Sequence, residues 1–251
     1  MVGLRLKRAT VLPAGPPGPR SLLEVGQRLH SEGIFTGGPP GYFEIAGRLQ
    51  LATLLREGVY PWSKLLDLGC GCLRGGYWII HFLDRGRYFG IEPQARMLQK
   101  GIQLVLEPET LNQKQPRFDN NDRFDFSVFG ETFDVVLARS IWSHASKAQV
   151  EVMLDGFRAN SSADAFFLTS YLPASPWRWR RRDYSGQQWK GKSHDSSQPG
   201  QVYHSLQWVK TQVEARGMFV RQLTDLVLNG QYWLKISRNP DQLLDAGFQF
   251  E

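Results

Sequence analysis

The residues best suited to chemistry fall in one glycine-rich stretch, which reads LLDLGCGCLRGG over residues 65–76. Asp67 comes before Gly69 and Gly71, and a short apolar run leads into them. Glycine allows the backbone to approach a ligand closely, and a helix that starts directly after the turn presents unpaired N–H groups at its positive end. The stretch predicts a binding floor for a nucleotide or nucleoside at the carboxyl edge of a parallel sheet.

A second acidic residue follows the glycine-rich stretch at a spacing typical of nucleotide-binding sites. Glu92, with Pro93 after it, lies 23 residues beyond Gly69, at the end of the next apolar run. An ionised carboxylate accepts hydrogen bonds, so Glu92 suits a ribose diol. This spacing also fits a nicotinamide dinucleotide and hence a dehydrogenase. Asp67 would repel a pyrophosphate, however, so the pattern favours a ligand that carries positive charge.

Alternating strand and helix patterns must position this loop. Apolar runs predict strands over 64–68, 87–91, 133–138, 165–170, 220–224 and 232–237, with a weak strand over 117–119. Helical spacing predicts helices over 42–55, 75–83 and 94–106, around Val150, and after Ser205. The rest of 107–123 looks irregular. The alternation predicts a mostly parallel sheet covered on both faces, closed by a strand pair that adds one antiparallel member.

These motifs resemble the class I S-adenosylmethionine-dependent methyltransferases. The family's acid-x-Gly-x-Gly motif is matched by Asp67, Gly69 and Gly71, and its acid after the second strand by Glu92. The phrases NDRFDF at 121–126 and FDVVLARSIWSHAS at 133–146 extend the similarity, which is greatest to a bacterial subgroup of small-molecule type and covers roughly residues 40–172. One departure is Leu73, where many members have a third glycine.

The resemblance implies an α/β, Rossmann-like fold: a seven-stranded sheet, mostly parallel, with helices on both faces and one antiparallel closing strand. It also implies S-adenosylmethionine as cofactor and in-line methyl transfer to an oxygen or nitrogen of a small molecule. The residues assigned to cofactor binding are Asp67, Gly69, Gly71, Arg74, Glu92, Pro93, Asp122, Arg139 and Ser140.

Their implied roles differ along the cofactor. Glu92 would hold the ribose hydroxyls, and Asp122, with Asp119 as second choice, would meet the adenine amino group. Arg139 or Ser140 would lie near the methionine end. The charge of Arg74 suits the cofactor carboxylate, although an exposed arginine on a helix surface fits the sequence equally well.

Beyond the predicted fourth strand, His144 is the candidate general base, because its unperturbed pKa of about 6.5 allows proton exchange at neutral pH. The alternative is that His144 caps the following helix or bonds a backbone carbonyl. Trp142, Tyr171 and Trp177 are candidates for the acceptor site; core packing is the alternative for the tryptophans. No pair of histidines has metal-ligand spacing, so no metal is expected.

The net charge of +6 is unevenly distributed. Residues 1–23 hold four basic side chains and no acid, and residues 173–200 hold six against two acids, so the rest is close to neutral. We predict a flexible basic Pro/Gly-rich arm over 1–20 and one domain over 21–251, with a basic aromatic insertion at about 173–200. The insertion fits a lid over an anionic small molecule, a solvated loop, a nucleic-acid contact or a lipid interface.

Composition excludes several classes. The two cysteines, only two positions apart, build neither a disulfide scaffold nor a four-cysteine zinc site. No apolar run is long enough to span a membrane, and a reducing cytoplasm is the expected location. The near-neutral body argues against a large nucleic-acid face. An RNA-modifying methyltransferase that uses the basic arm and a non-catalytic nucleoside-binding module stay as alternatives.

Overall fold

The computed structural model describes residues 21–174, 202–226 and 230–244. The predicted arm over 1–20 and most of the insertion at about 173–200, including Trp177, lie outside the described residues. Within those ranges, no helix combines the length and the apolar character that crossing a membrane requires.

The strands form one sheet in the order β3-β2-β1-β4-β5-β8-β7, and a short β6 pairs with β5 outside this path. The strands are β1 (Leu65–Leu68), β2 (Tyr88–Ile91), β3 (Arg117–Asp119), β4 (Phe133–Ala138), β5 (Ser161–Pro173), β6 (Tyr203–His204), β7 (Phe219–Leu226) and β8 (Tyr232–Ser237). Only β8 runs antiparallel to its partners, β5 and β7. The predicted fold class is confirmed, with β6 as an additional strand.

Seven helices lie within the described residues. They are α1 (Leu22–Ser31), α2 (Phe43–Arg56), α3 (Gly76–Phe82), α4 (Ala95–Val105), α5 (Pro108–Lys114), α6 (Lys147–Asn160) and α7 (Leu206–Glu214). Helix α5 corrects the prediction of an irregular 107–123. It is short and polar, begins at a proline and buries none of its residues, so it has no apolar stripe that periodicity would detect.

Two apolar layers cover the sheet. Side chains alternate along β1, so that Leu65 belongs to the apolar cluster shared with α1, α2, α3 and α4, whereas Leu66 belongs to the cluster shared with α6 and α7. Every β1 residue is buried, as parallel strands covered on both faces require. Strand order reverses between β1 and β4, which both pair with parallel neighbours. The carboxyl ends of these two strands are therefore the place where a ligand is expected.

Candidate functional site

The glycine loop begins directly after β1 and leads into α3. Gly69 and Gly71 have φ of +68° and +59°, in the left-handed region where glycine is favoured. The backbone N–H groups of Gly69 and Cys70 both donate to the carbonyl of Ile91, at 2.8 and 3.1 Å. These bonds fix the loop against the end of β2, with its glycines along the edge of the sheet.

Leu73 keeps the turn that a third glycine would make. Its φ is +63°, also left-handed, and its side chain is fully buried. A non-glycine residue in this region costs conformational energy, and we attribute the compensation to apolar burial. Leu73 therefore has the left-handed conformation that a third glycine would favour.

Two buried carboxyl groups lie beneath the loop. Glu92 is 0% exposed; its Oε2 accepts from the N–H of Gly71 at 3.0 Å and its Oε1 from the N–H of Gln94 at 2.9 Å. Asp67 accepts a hydrogen bond from the Tyr88 hydroxyl at 2.8 Å. Burial raises the pKa of Asp67 to about 7, and burial likewise raises the pKa of Glu92 to about 7. Both acids therefore titrate near neutrality in the unliganded protein.

A cavity of about 290 Å³ opens beside this loop. The predicted site residues that line it are Asp67, Gly69, Gly71, Arg74, Arg139, Ser140 and His144. The structure thus brings together the loop after β1 and the segment after β4, which lie about 70 residues apart in the sequence.

Other predicted residues lie outside the lining. Glu92 and Pro93 lie behind the loop, and Asp122 is exposed in the turn after β3. Trp142 is 0% exposed and packs edge-on against Phe167, with ring centroids 5.8 Å apart. The Tyr171 hydroxyl donates to the side chain of Gln222. The assignments of these residues to ligand contacts stay predictions.

Arg74 is half-buried in the loop and not exposed on a helix. Its Nη1 donates to the carbonyls of Thr36 and Gly37, at 3.1 and 2.8 Å. A Cβ added at Gly37 would lie 2.9 Å from the guanidinium carbon, so a larger residue there would displace the end of the Arg74 side chain. Burial lowers the pKa of Arg74. The guanidinium thereby connects the loop to the segment 35–38, which lines the same cavity.

The segment after β4 is held in an unusual conformation. Ser140 has a φ of +61°, and its N–H donates to Ser170 Oγ at 2.7 Å. Arg139 Nη1 lies 3.1 Å from Gln231 Oε1 and 3.3 Å from Ser170 Oγ. The guanidinium also lies over the ring of Trp233, 5.5 Å from its centroid. Strained residues of this kind cluster at functional sites.

His144 is half-buried and lines the cavity. Its backbone N–H donates to the Ile141 carbonyl at 2.9 Å. The cap of α6 is Ser146, whose side chain accepts from the N–H of Gln149 while the Gln149 side chain accepts from the N–H of Ser146. The alternative in which His144 caps this helix is therefore wrong.

Several lining residues were missed in the sequence: the segment 35–38, Gln50, Met97, Ser143, Leu172 and Gln231. The adjacent glycines Gly37 and Gly38 were the one sequence signal that could have indicated the segment 35–38, and both have positive φ in the structure. Gln231 carries no motif. Within the described residues, no group of three or more histidines, cysteines or acids is arranged to hold a metal.

The two titrating carboxyl groups predict a pH dependence of ligand binding. A ligand that carries positive charge and ribose hydroxyls binds the ionised acids, so binding lowers their pKa and releases protons. Affinity should then rise with pH through about 7 and level off above it, by about tenfold per carboxyl between pH 6 and 8. Calorimetric titration with S-adenosylhomocysteine, which retains an ammonium group and the ribose diol, measures this. Asp67→Asn should reduce the rise to about tenfold, because only Glu92 then titrates in this range, and a flat profile in the unsubstituted protein would contradict the prediction.

Comparisons with known proteins agree with this geometry. A family model described as a methyltransferase domain matches residues 66–167, the part that contains the glycine loop, β2, β4 and α6. No curated protein sequence matches the chain.

Solved structures resemble the fold at low sequence identity. Magnesium protoporphyrin IX methyltransferase from Synechocystis PCC 6803 with bound SAM is 15% identical, with a TM-score of 0.56, covering 89% of this chain and 87% of that one. DhpI in complex with SAH is 16% identical, with a TM-score of 0.58, covering 87% and 96%. The sugar N-methyltransferase KedS8 from Streptoalloteichus sp. ATCC 53650 is 13% identical, with a TM-score of 0.57, covering 94% and 100%.

The sheet order, the loop after β1 and the domain match together define the class. The protein has the Rossmann-like fold of the class I methyltransferases, and residues 66–167 match a methyltransferase-domain model. The domain match and the fold both agree with the family that the sequence resembles.

Proposed function

We propose that the protein is an S-adenosylmethionine-dependent methyltransferase that transfers a methyl group to an oxygen or nitrogen of a small molecule. One observation carries the proposal: a single cavity, at the point where strand order reverses, joins the acid-bearing glycine loop to His144 and Arg139. The first side suits a cationic nucleoside, and the second offers a base and a charged donor to an acceptor.

The residues present fit this cofactor. Asp67 and Glu92 supply buried negative charge next to a cofactor with a sulfonium and an ammonium group, and the loop at Gly69 and Gly71 allows close backbone approach. We propose that Glu92 turns from the loop N–H groups toward the ribose hydroxyls. The proposed adenine contact is Asp122, with Asp119 as second choice, and Pro93 would lie nearby.

The main catalytic task of the protein is to position the acceptor relative to the cofactor. The bound cofactor supplies a methyl group already activated by the positive sulfur. The protein must place the acceptor in line with the S–CH₃ bond and exclude water, which supplies roughly 7–11 kcal/mol of the barrier. In the proposed mechanism the acceptor hydroxyl or ammonium loses its proton to His144, which lines the same cavity. An acceptor that is already anionic needs no base.

Cofactor binding tests the proposal directly. Titration calorimetry with S-adenosylhomocysteine should give a dissociation constant in the micromolar range, whereas NAD and NADP should not bind measurably. If NAD or NADP instead binds more tightly than S-adenosylhomocysteine, the protein is better explained as a dehydrogenase and the proposal fails. Tritium transfer from methyl-labelled S-adenosylmethionine into a small-molecule extract then separates an enzyme from a non-catalytic module, and transfer into RNA would support the RNA-modifying alternative.

Replacement of His144 by Ala should separate binding from turnover. We expect methyl transfer to fall by about 10²–10⁴-fold, the usual contribution of a general base, while affinity for S-adenosylhomocysteine stays within about twofold. The measurement is tritium transfer at saturating cofactor, across a range of pH. His30→Ala, an exposed histidine on α1, is the matched control and should keep full activity. Full activity of H144A would assign His144 a structural role.

Finer properties of the partners and the location are also proposals. We propose an anionic small-molecule acceptor and disfavour nucleic acid, because the basic excess lies in two segments outside the described body. We propose that Trp142, Tyr171 and Trp177 shape the acceptor side, Trp142 and Tyr171 from behind the cavity wall. The cytoplasm is the proposed location, since Cys70 and Cys72 are buried free thiols.

A further inference from the structure

Two guanidinium groups face the same cavity. Among the described residues that line it, the charged side chains are Asp67, Arg74 and Arg139, with His144 as a further ionisable group. Neither arginine has an ion pair with an acid anywhere in the described part of the chain. Burial, followed by repulsion from Arg74, lowers the pKa of Arg139 to about 9. Burying two positive charges that have no ion-pair partner costs free energy, unless a ligand supplies a negative charge beside them.

The cofactor brings only one carboxylate. It also carries a sulfonium and an ammonium group, so its net charge is positive. The two arginines and the two buried acids, Asp67 and Glu92, cancel when all four are ionised. The cofactor-bound site is therefore left with one excess positive charge, and an acceptor with one negative charge would neutralise it.

The positions of the two arginines divide their roles. Arg74 belongs to the glycine loop that holds the cofactor, and its Nη1 is engaged by the carbonyls of Thr36 and Gly37. Arg139 follows β4 in the segment that carries His144. Its neighbours are the neutral side chains of Ser140, Ser170 and Gln231, and its guanidinium rests on Trp233. Arginine offers five donors in a fork that matches a carboxylate or phosphate.

We propose that Arg139 is the specificity-determining residue for the acceptor and binds an anionic group, a carboxylate or a phosphate, that the acceptor carries. Ser140, Ser170 and Gln231 hold Nη1 of the guanidinium, and the remaining donors of Arg139 bind the anion. The nucleophilic atom then lies elsewhere on the same small molecule, within reach of His144. This inference rests on the proposed function, because Arg74 is assigned to the carboxylate of the cofactor.

The test uses the full-length protein saturated with S-adenosylhomocysteine. Calorimetric titrations with benzoate and phenyl phosphate probe the two anions, and benzamide is the neutral isostere. We expect at least one anion to bind in the millimolar range and at least about tenfold more tightly than benzamide, since charge-assisted hydrogen bonds reach this size. Whichever of the two anions binds more tightly identifies the chemical group.

The variants assign the effect to a residue. Arg139→Gln should weaken anion binding by about tenfold or more and change the affinity for S-adenosylhomocysteine by less than about threefold. Arg139→Lys, which keeps the charge and loses the fork, should be intermediate. Arg216→Gln is the matched control, because Arg216 pairs with Asp155 away from the cavity and should leave both affinities unchanged.

Failure takes distinguishable forms. If S-adenosylhomocysteine does not bind the unsubstituted protein, the proposed function itself fails. If it binds but neither anion exceeds benzamide, or if R139Q keeps the anion affinity, the proposal for Arg139 is overturned. If R139Q instead loses affinity for S-adenosylhomocysteine while binding to methylthioadenosine, which lacks the amino acid part, is unchanged, then Arg139 holds the cofactor carboxylate.

Discussion

Replacing Gly71 by Val should reduce the affinity for S-adenosylhomocysteine by at least about 100-fold. A β-branched residue is strongly disfavoured at a φ of +59°. A Cβ at this position would lie 3.6 Å from Met97 Sδ and 3.9 Å from the Gly69 carbonyl oxygen, both ordinary contacts, so the Cβ itself fits. The branches of valine, however, would occupy the cavity that Gly71 lines. Calorimetry with S-adenosylhomocysteine measures the loss.

Gly86→Val separates backbone strain from blocked binding. Gly86 has a φ of +70° with open space around it. It lies just before β2, at the end of that strand away from the glycine loop. We expect G86V to lower the melting temperature through the same strain while binding S-adenosylhomocysteine normally. If G71V binds as well as G86V, the loop is not the floor of the cofactor site.

Glu92→Ala should weaken the binding of S-adenosylhomocysteine about as much as Gly71→Val does, but for a different reason. The carboxylate is fully buried and accepts from the backbone N–H groups of Gly71 and Gln94. Its removal leaves both donors unsatisfied, at about 1–3 kcal/mol each, and deletes the proposed acceptor for the ribose diol. We expect a lower free energy of unfolding, measured in urea, and at least about 100-fold weaker binding of S-adenosylhomocysteine.

Glu92→Gln and Glu131→Ala are the matched variants. The glutamine amide keeps one acceptor oxygen and turns a donor toward the other N–H, so E92Q should fall between the two extremes. Glu131 pairs with Lys64 and Arg117 outside the cavity, and E131A should alter stability without altering binding. Unchanged binding in E92A would contradict the ribose assignment, whatever the loss of stability.

The glycine loop and the strands around it were predictable because their signals are local. The apolar runs at β1, β2 and β4 and the glycines at positive φ are encoded within a few residues each. A helix was likewise predicted after Ser205, and the Ser205 side chain caps α7 by accepting from the N–H of Trp208.

The rest of the cavity depends on contacts between distant residues. Arg74 meets Gly37 across 37 positions, and Ser140 meets Gln231 across 91. Gln231 carries no periodic or motif signal that would reveal such contacts, and the segment 35–38 carries only its pair of glycines. Proximity in sequence was also a poor guide to exposure: Trp142 lies two residues after Ser140, yet it is buried in the core.

The short strand β6 determines how the basic aromatic insertion is attached. The N–H of Ala174 donates to the carbonyl of His204 at 2.9 Å, and the N–H of Val202 donates to the carbonyl of Ser143 at 2.7 Å. The two ends of the intervening chain are thus clamped together beside the cavity by the domain itself. The entropic cost of closing a chain segment between two fixed ends grows only slowly with its length. Insertions and deletions between Ala174 and Val202 should therefore change the free energy of unfolding little. The length of chain between these two ends can therefore change while the sheet and the glycine loop stay as they are.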